Sequence, residues 1–369
     1  MRMTHIIAPG PLAGAEKVVL SGAAAQRARG HDVGVLLLQE TRCPEHAARF
    51  AELARARGLP VSMLSVAARL DLRALGALHD MLGAMRADLL HVHGYKALCY
   101  TLTAGIGITA PIVASHHGDT DHNPLVTAYS MLGRWLYSRI ACVIAVSTVS
   151  AAALVRGGVA KARVRTVPNP VELQVRPRIE PAADGPVRAL FLGRLSREKG
   201  LDVFLRALAS SAQSNITLSV AGDGPMRDPW QALCAELGLQ SRVRFLGHCA
   251  DIPGLLAGTD LVVMPSWREG LPVALLEALA SGVPVFASGV GGIPEVLQGS
   301  AAGRLLPAGD PDAWAKALSE LPSALPSMQR AALQRAPDVR ATYSPLRWAE
   351  DVTRCYQQAV SEYGLDSIR

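Results

Sequence analysis

The sequence predicts an α/β protein made of two doubly wound, Rossmann-like domains. Three observations predict it. Short, continuous apolar runs alternate with helical patterns along the chain, as expected for parallel sheets covered on both faces. The alternation restarts after Val171–Pro186, VELQVRPRIEPAADGP, a proline-rich stretch with no clear period. The length, 369 residues, also suits about two domains.

In the first half the strand runs are Thr4–Ala8, Asp32–Leu38, Val61–Leu64, Leu89–His93, Ile112–His116, Cys142–Val146 and Arg165–Val167. Helical stretches such as Glu16–Arg29 and His46–Arg57 lie between them. The second half repeats the scheme with Val187–Leu192, Ile216–Ala221, Val243–Leu246, Leu261–Met264, Val283–Ala287 and Arg304–Leu306. The expected domains are therefore residues 1–170 and 187–369, joined by a linker at 171–186. A last helical pattern at 344–363, carried by Leu346, Ala349, Val352, Tyr356 and Val360, is a candidate to fold back on the N-terminal domain. Ligands of doubly wound sheets bind at the C-terminal strand ends, so a cleft is expected where those edges of the two domains face each other.

Half of the residues are hydrophobic and 18% are charged, as in a soluble globular protein. No uninterrupted apolar run reaches the roughly 18 residues of a membrane span. The N-terminus, MRMTHIIAPG, runs straight into a strand, without the apolar core and cleavage site of a signal peptide. Six cysteines are scattered with no CxxC spacing and read as reduced thiols, so a cytoplasmic location is expected. Residues 1–170 carry 18 Lys and Arg against 10 Asp and Glu, a net of +8, and the remainder carries a net of −2. Such asymmetry suggests different partners for the two domains. No aromatic-interleaved basic run points to nucleic acid.

The chemistry concentrates in Leu261–Ser288, LVVMPSWREGLPVALLEALASGVPVFAS, a strand, polar loop, helix and second strand. Pro272 suits the first helical position, with Glu277 about two turns in and Glu269 in the loop ahead. Eight residues apart, the carboxylates cannot be helix-face neighbours. Gly270 and Leu271 between them offer backbone N–H groups to an anion at a helix N-terminus. A phosphate there, flanked by acidic acceptors for hydroxyls, describes a nucleotide-sugar pocket; the alternative is an ordinary strand–helix unit with two surface glutamates.

Val187–Gly200, VRALFLGRLSREKG, places Arg194 and Lys199 at another strand end, where two cations suit a diphosphate. Gly222–Pro225 and Gly247–His248 end two further strands on that edge and can line a base slot or serve as turns. GVGG at 289–292, before Ile293–Pro294–Glu295, is a further glycine-rich strand-to-helix turn. In the first half, the loop Ala8–Ala15, APGPLAGA, lets backbone approach a ligand or serves equally as a tight turn, and it is not GxGxxG. Histidines stand at consecutive strand ends in LLHVHG and SHHG, and His93 and His117 are both expected to look into the cleft. His91 and His93 are better accounted for as hydrogen-bonded strand-end residues. His117, followed by Gly118 and Asp119, is the functional candidate. Their spacing offers no compact metal-ligand set.

Taken together, GRLSREKG at 193–200, the Glu269/Glu277 pair in its context and GGIPE at 291–295 resemble the retaining glycosyltransferases of family 4, the "group 1" family with the GT-B fold. PNPVE at 168–172, GDGP at 222–225 and AGAEKVVL at 13–20 support the likeness, which covers nearly the whole chain. Ala13 stands where many members carry a second glycine, and Pro170 follows Asn169 where glycine is more common.

The resemblance implies a UDP- or GDP-sugar donor and transfer to an acceptor hydroxyl with retention, in cell-surface polysaccharide or glycolipid synthesis. It implies that Arg194 and Lys199 contact the diphosphate, that Glu277 takes the ribose hydroxyls, and that Glu269 lies near the reacting carbon. It implies that Gly14 and the backbone of Gly270, Leu271, Pro272 and Val273 meet phosphate and sugar, and that His117 lies beside the transferred sugar. It also favours front-face departure, with a diphosphate oxygen as base, over a covalent intermediate. Glu269 as nucleophile or as positioning group stays open. No DxD-type motif stands in a suitable loop, so neither metal nor cofactor is expected. A lipid-linked or growing glycan acceptor, and a peripheral position on an anionic inner membrane face, fit the basic N-terminal half. The other readings are a nucleotide-sugar epimerase or phosphorylase relative on the same fold, and a non-catalytic nucleotide-binding subunit of a polysaccharide assembly complex.

Overall fold

Strand runs such as CVIA and LVVM have no polar face to turn outward, and both are buried along their whole length. That pattern demands helices above and below, and parallel strands joined through crossover helices supply them. The computed structural model describes residues 1–67, 71–118, 135–177, 179, 185–211 and 215–366. Asp119 and, within the expected linker, residues 178 and 180–184 lie outside the described residues.

The first sheet comprises β1 (Arg2–Ile7), β2 (Asp32–Glu40), β3 (Val61–Val66), β4 (Leu89–His93), β5 (Ile112–His116), β6 (Cys142–Ala145) and β7 (Val164–Thr166). All are parallel, in the order β3-β2-β1-β4-β5-β6-β7. The second comprises β8 (Val187–Leu192), β9 (Ile216–Ala221), β10 (Val243–Gly247), β11 (Leu261–Met264), β12 (Val285–Ser288) and β13 (Gly303–Leu306), in the order β10-β9-β8-β11-β12-β13. Both orders are doubly wound and reverse direction, between β1 and β4 and between β8 and β11. All thirteen strand runs expected from the sequence are strands. One begins late: Val283 donates its N–H to the Ala278 carbonyl and closes the preceding helix, so β12 starts at Val285.

Helices α1 (Gly14–Ala28), α2 (Pro44–Ala56), α3 (Leu72–Met85), α4 (Tyr95–Ala104) and α5 (Thr148–Arg156) accompany the first sheet. The second is served by α6 (Leu201–Ser210), α7 (Arg227–Glu236), α8 (Ile252–Ala257), α9 (Val273–Ala280), α10 (Ile293–Leu297) and α11 (Pro311–Thr342). Successive strand residues face opposite sides. On the first sheet Ile6, Leu90 and Val92 enter an apolar cluster with Leu78, Leu82 and Leu98. His5, His91 and His93 therefore point to the other face.

Helix α11 is hidden from the sequence pattern by Pro322, Pro326 and Pro337, each of which removes one rung of its hydrogen-bond ladder. It persists because Asp310 caps its start, accepting from the Ala313 N–H at 3.0 Å, and because Trp314, Leu318 and Leu321 are buried with Phe204 and Leu208 of α6.

Packing divides the chain into two units, residues 1–170 with 344–369, and residues 171–343. The final helix, α12 (Pro345–Asp366), therefore groups with the first unit, and the expected linker groups with the second. The reason is a seam with α1. Trp348 lies over Gly22, Gln26 hydrogen-bonds Tyr356 at 3.3 Å, and Arg29 pairs with Glu350 at 2.7 Å. A Cβ on Gly22 would sit 2.2 Å from Trp348 Cζ3. Gly22→Ala gains about 1 kcal/mol of helix propensity and forces an overpacked seam costing roughly 1–3 kcal/mol or more. Overpacking against a buried ring wins, so the variant is expected to melt earlier and to show faster amide exchange in α12. Unchanged exchange there would mean the ring moves aside freely.

Candidate functional site

In the second unit the order reversal brings the C-terminal ends of β8 and β11 side by side. After β8, Arg197–Lys199 form one 3-10 turn that ends on Gly200 in the left-handed region (φ 61°). A Cβ at Gly200 would lie 2.2 Å from the Pro265 carbonyl oxygen. Only glycine lets the loops approach this closely. The Trp267 N–H then donates to the Glu198 carbonyl at 2.8 Å.

The consequence is a compact polar cluster. Lys199 Nζ donates to Glu269 Oε1 at 2.6 Å, and the Ser266 hydroxyl donates to the same oxygen at 2.8 Å. The Lys199 side chain is 20% exposed and that of Glu269 only 6%. A carboxylate so far out of water needs compensating partners, and here a cation and a hydroxyl supply them. Two of the three ammonium protons remain for other acceptors, and Oε2 remains for a further donor.

Neighbouring loops brace the cluster. Gly291 (φ 57°) would put a Cβ 1.9 Å from the Glu269 carbonyl oxygen, and the Gly292 N–H donates to the Gly270 carbonyl at 2.6 Å. The GDGP loop presses on the loop after β8, with Leu195 N–H to Asp223 O at 2.9 Å and Met226 N–H to Leu195 O at 2.8 Å. Loops from β8, β9, β11 and β12 thus form one hydrogen-bonded edge.

Other sequence candidates fall as follows. Arg194 is exposed on the loop after β8. Pro272 is the cap of α9, not its first residue, because its ψ of 127° is extended and the helix begins at Val273. Glu277 is therefore fifth in the helix, little over one turn in instead of two, and is buried. Gly270, Leu271, Pro272 and Val273 are buried as well. Sequence reasoning missed Ser266, whose signal was the S-x-x-E spacing ahead of α9. It also missed Trp267, 44% exposed, whose ring crosses Gly200 and Gly309.

In the first unit β1 leads into the loop before α1. Glu16 ties that loop: Oε1 accepts from the Gly10 N–H at 3.0 Å and Oε2 from the Ala13 N–H at 3.1 Å. Gly14 follows as the half-buried first residue of α1. Across the sheet, β1 pairs with β4 so that His5 lies opposite His91 and Ile7 opposite His93. His5 Nδ1 is 3.0 Å from His93 Nε2, and His93 Nδ1 is 3.5 Å from His117 Nε2. His117 is half-buried and also hydrogen-bonds the Asn169 side chain.

His93 does not open outward at its strand end; it is 3% exposed, with both ring nitrogens facing other histidines, in keeping with the favoured reading of a hydrogen-bonded strand-end residue. The expectation that no compact metal-ligand set exists is corrected. His5, His91 and His93 bring one ring nitrogen each within 4.8 Å of one another, as do ligand atoms of Cys43, Glu45 and His46 near the start of α2. Strand pairing, invisible in local spacing, supplies His5 to the first set. All six ring nitrogens of that set already face hydrogen-bond partners, so a metal would have to displace some.

Burial pushes the pKa of His5 down to about 4, partly opposed by its hydrogen bond to Gln26. His117 is also lowered to about 4, by burial and by nearby His116. Burial and the neighbouring histidines hold His91 and His93 well below the ordinary range.

Two parallel doubly wound sheets, each with polar groups at its switch point, define an α/β protein of the GT-B class. The structure superposes over 96% of this chain on that of Anabaena HepE in complex with UDP-glucose, covering 98% of that chain at a TM-score of 0.82 and 21% identity. It superposes equally well, at 0.82 and 20% identity, on sucrose-phosphate synthase from Thermosynechococcus elongatus, covering 98% of this chain and 100% of that one. Family models match both halves, "Glycosyltransferase Family 4" at residues 12–175 and "Glycosyl transferases group 1" at 186–323. The chain belongs to this glycosyltransferase family. Its sequence relatives include an uncharacterized glycosyltransferase of Methanocaldococcus jannaschii, 32% identical over 47% of this chain and 46% of that protein. A D-inositol 3-phosphate glycosyltransferase of Salinispora tropica is 35% identical over 47% of this chain and 38% of that one. A 2-deoxystreptamine glucosyltransferase of Streptomyces kanamyceticus is 33% identical over 54% of each. The matched stretch thus spans about half, or less, of each relative's length.

The buried histidines give the first unit a pH dependence of known sign. His5 titrates at 6.5 when unfolded and at about 4 when folded. Between those values the unfolded state binds the extra proton, so stability is complete above about 6.5 and falls as pH drops toward 4. The slope is at most about 1.4 kcal/mol per pH unit for each such ring. Amide exchange in β1 and β4, corrected for intrinsic rates, is expected to accelerate between pH 7 and 5. Equal protection at both would contradict neutral burial.

Proposed function

We propose that the protein is a retaining glycosyltransferase, moving a sugar from a UDP- or GDP-sugar to an acceptor hydroxyl. The observation that carries the reading is the Lys199–Glu269–Ser266 cluster at the switch point of the second sheet, in a chain of this family. Lys199 and Arg194 take the diphosphate, Lys199 through the ammonium protons that Glu269 leaves unused. Glu269 Oε2 accepts from a hydroxyl of the donor sugar, held in place because Oε1 is already occupied. Glu277 accepts from the ribose hydroxyls. The backbone from Gly270 to Val273, with Gly14 in the first unit, approaches phosphate and sugar, and His117 lies beside the transferred sugar.

In the step itself the bond between the anomeric carbon and the diphosphate oxygen breaks, and the acceptor oxygen bonds to that carbon on the same face. The acceptor proton passes to the departing diphosphate oxygen. Negative charge grows on the diphosphate, where fixed cations stabilise it without reorganisation. On this reading no divalent cation is needed. The acceptor is a lipid-linked or growing glycan in cell-envelope synthesis, reached from the cytoplasmic side by a peripheral enzyme. The +8 of residues 1–170 supports attraction to an anionic membrane surface. Among the described residues no helix is long and apolar enough to cross a membrane.

Donor binding is tested by thermal shift with UDP, GDP, ADP and their sugars. A ligand present at a hundred times its Kd is expected to add about 2.7 kcal/mol of apparent stability. Arg194→Ala and Lys199→Ala are expected to lose roughly 30- to 1000-fold in transfer rate. No shift with any nucleotide, or wild-type rates in both variants, defeats the reading.

The glutamates separate in steady-state kinetics. Glu277→Gln is expected to raise the donor KM with kcat largely kept, because ribose contacts act alike in ground and transition states. Glu269→Gln is expected to lower kcat. The reverse pattern would exchange their roles.

A further inference from the structure

One unbroken line of polar groups crosses the interior of the first unit. His117 leads to His93 and His93 to His5; His5 Nε2 lies 2.8 Å from Gln26 Oε1. The line continues from Gln26 Nε2 to the Tyr356 hydroxyl, from that hydroxyl to His91 Nδ1, and from His91 Nε2 to Ser115 Oγ at 2.8 Å. His5, Gln26, His91, His93 and Tyr356 are all buried, so none of these five can turn to water for a missing partner.

Gln26 has a special place in this line. An imidazole or hydroxyl can exchange donor and acceptor ends by moving a proton, but an amide cannot. Its NH2 faces Tyr356 and its carbonyl faces His5. His5 must therefore donate from Nε2, which leaves Nδ1 to accept. His93 then donates from Nε2 and accepts at Nδ1, and the only hydrogen available for that bond is on His117 Nε2. On the other branch Tyr356 receives from Gln26, so its own hydrogen goes to His91 Nδ1, and His91 donates from Nε2 to Ser115. One amide orientation thus dictates the tautomer of four histidines.

We propose that Gln26 is a positioning residue: acting through His5 and His93, its amide holds His117 as the Nε2–H tautomer and leaves its Nδ1 without a proton. The catalytic consequence rests on the reading above that places His117 beside the donor sugar; the tautomer itself does not. Tyr356 anchors the amide from α12, which makes the final helix part of the arrangement.

The test is long-range 1H–15N correlation on the full-length protein labelled with 15N-histidine, at pH 8. His5, His91, His93 and His117 are all expected to report Nε2–H. In Gln26→Glu a carboxylate of the same shape accepts on both sides. His91 is then expected to convert to Nδ1–H, because Tyr356 must donate to the carboxylate, while His5, His93 and His117 keep Nε2–H. Gln26→Leu, which releases both branches, is expected to give a tautomer mixture at His117. Its kcat is expected to fall at least about tenfold while the donor KM is kept. A wild-type His117 in the Nδ1–H form, or a His91 that does not convert in Gln26→Glu, overturns the proposal. A kcat kept in Gln26→Leu overturns its catalytic part. Should Gln26→Leu fail to fold, the isosteric variant still decides the polarity of the line. The expected tautomers without any sugar transfer would count against the glycosyltransferase reading alone.

Discussion

A parallel strand cannot be reached by a hairpin; the chain must cross over the sheet and start again at the same end. In each sheet of this protein that constraint places all the strand-to-helix loops at one edge. Where the strand order reverses, two adjacent loops leave in opposite directions and open a gap between them. The chemistry gathers at these two positions, beside β8 and β11 in the second sheet and beside β1 and β4 in the first. Glycines at the second edge serve this geometry: at Gly200 and Gly291 a side chain would collide with carbonyl oxygens of the facing loop.

Within that edge one carboxylate, Glu269, is almost fully buried, and Lys199 and Ser266 meet on a single oxygen of it. Removing either charge would leave the other poorly solvated, and breaking such pairs is far more costly than their net worth when intact. The same arrangement leaves a directed lone-pair acceptor beside a cation with protons to spare, a combination suited to a sugar hydroxyl next to a phosphate. On the function proposed for this site, stability and recognition depend on the same three side chains.

The first unit solves a different problem. Its switch point carries imidazoles in place of an ion pair, and burial keeps them neutral. Neutral imidazoles hydrogen-bond in a fixed direction, so the line of histidines needs a terminus that cannot invert. Gln26 on α1 supplies it, and Tyr356 on α12 holds Gln26. The final helix is thus joined to the first unit by hydrogen bonds as well as by the packing of Trp348 on Gly22.

The sequence by itself determined the parallel character of both sheets, because CVIA and LVVM carry no polar face, and it placed Arg194, Lys199, Glu269 and Glu277 on strand-end loops and the helix behind them. Local pattern suffices for those features because alternation, helix entry and loop position are short-range properties. It misplaced Pro272 by one position, since a proline φ suits both a cap and a first helical residue and ψ is decided by the loop. It left α11 unread because three prolines break its pattern, while burial of Trp314 and Leu318 keeps the helix formed. Only the tertiary structure decided that His5 meets His93, that Ser266 and Lys199 share one oxygen of Glu269, and that Tyr356 reaches Gln26 across 330 residues. Those contacts depend on strand register and helix docking, which bring distant residues together and leave no mark in local spacing.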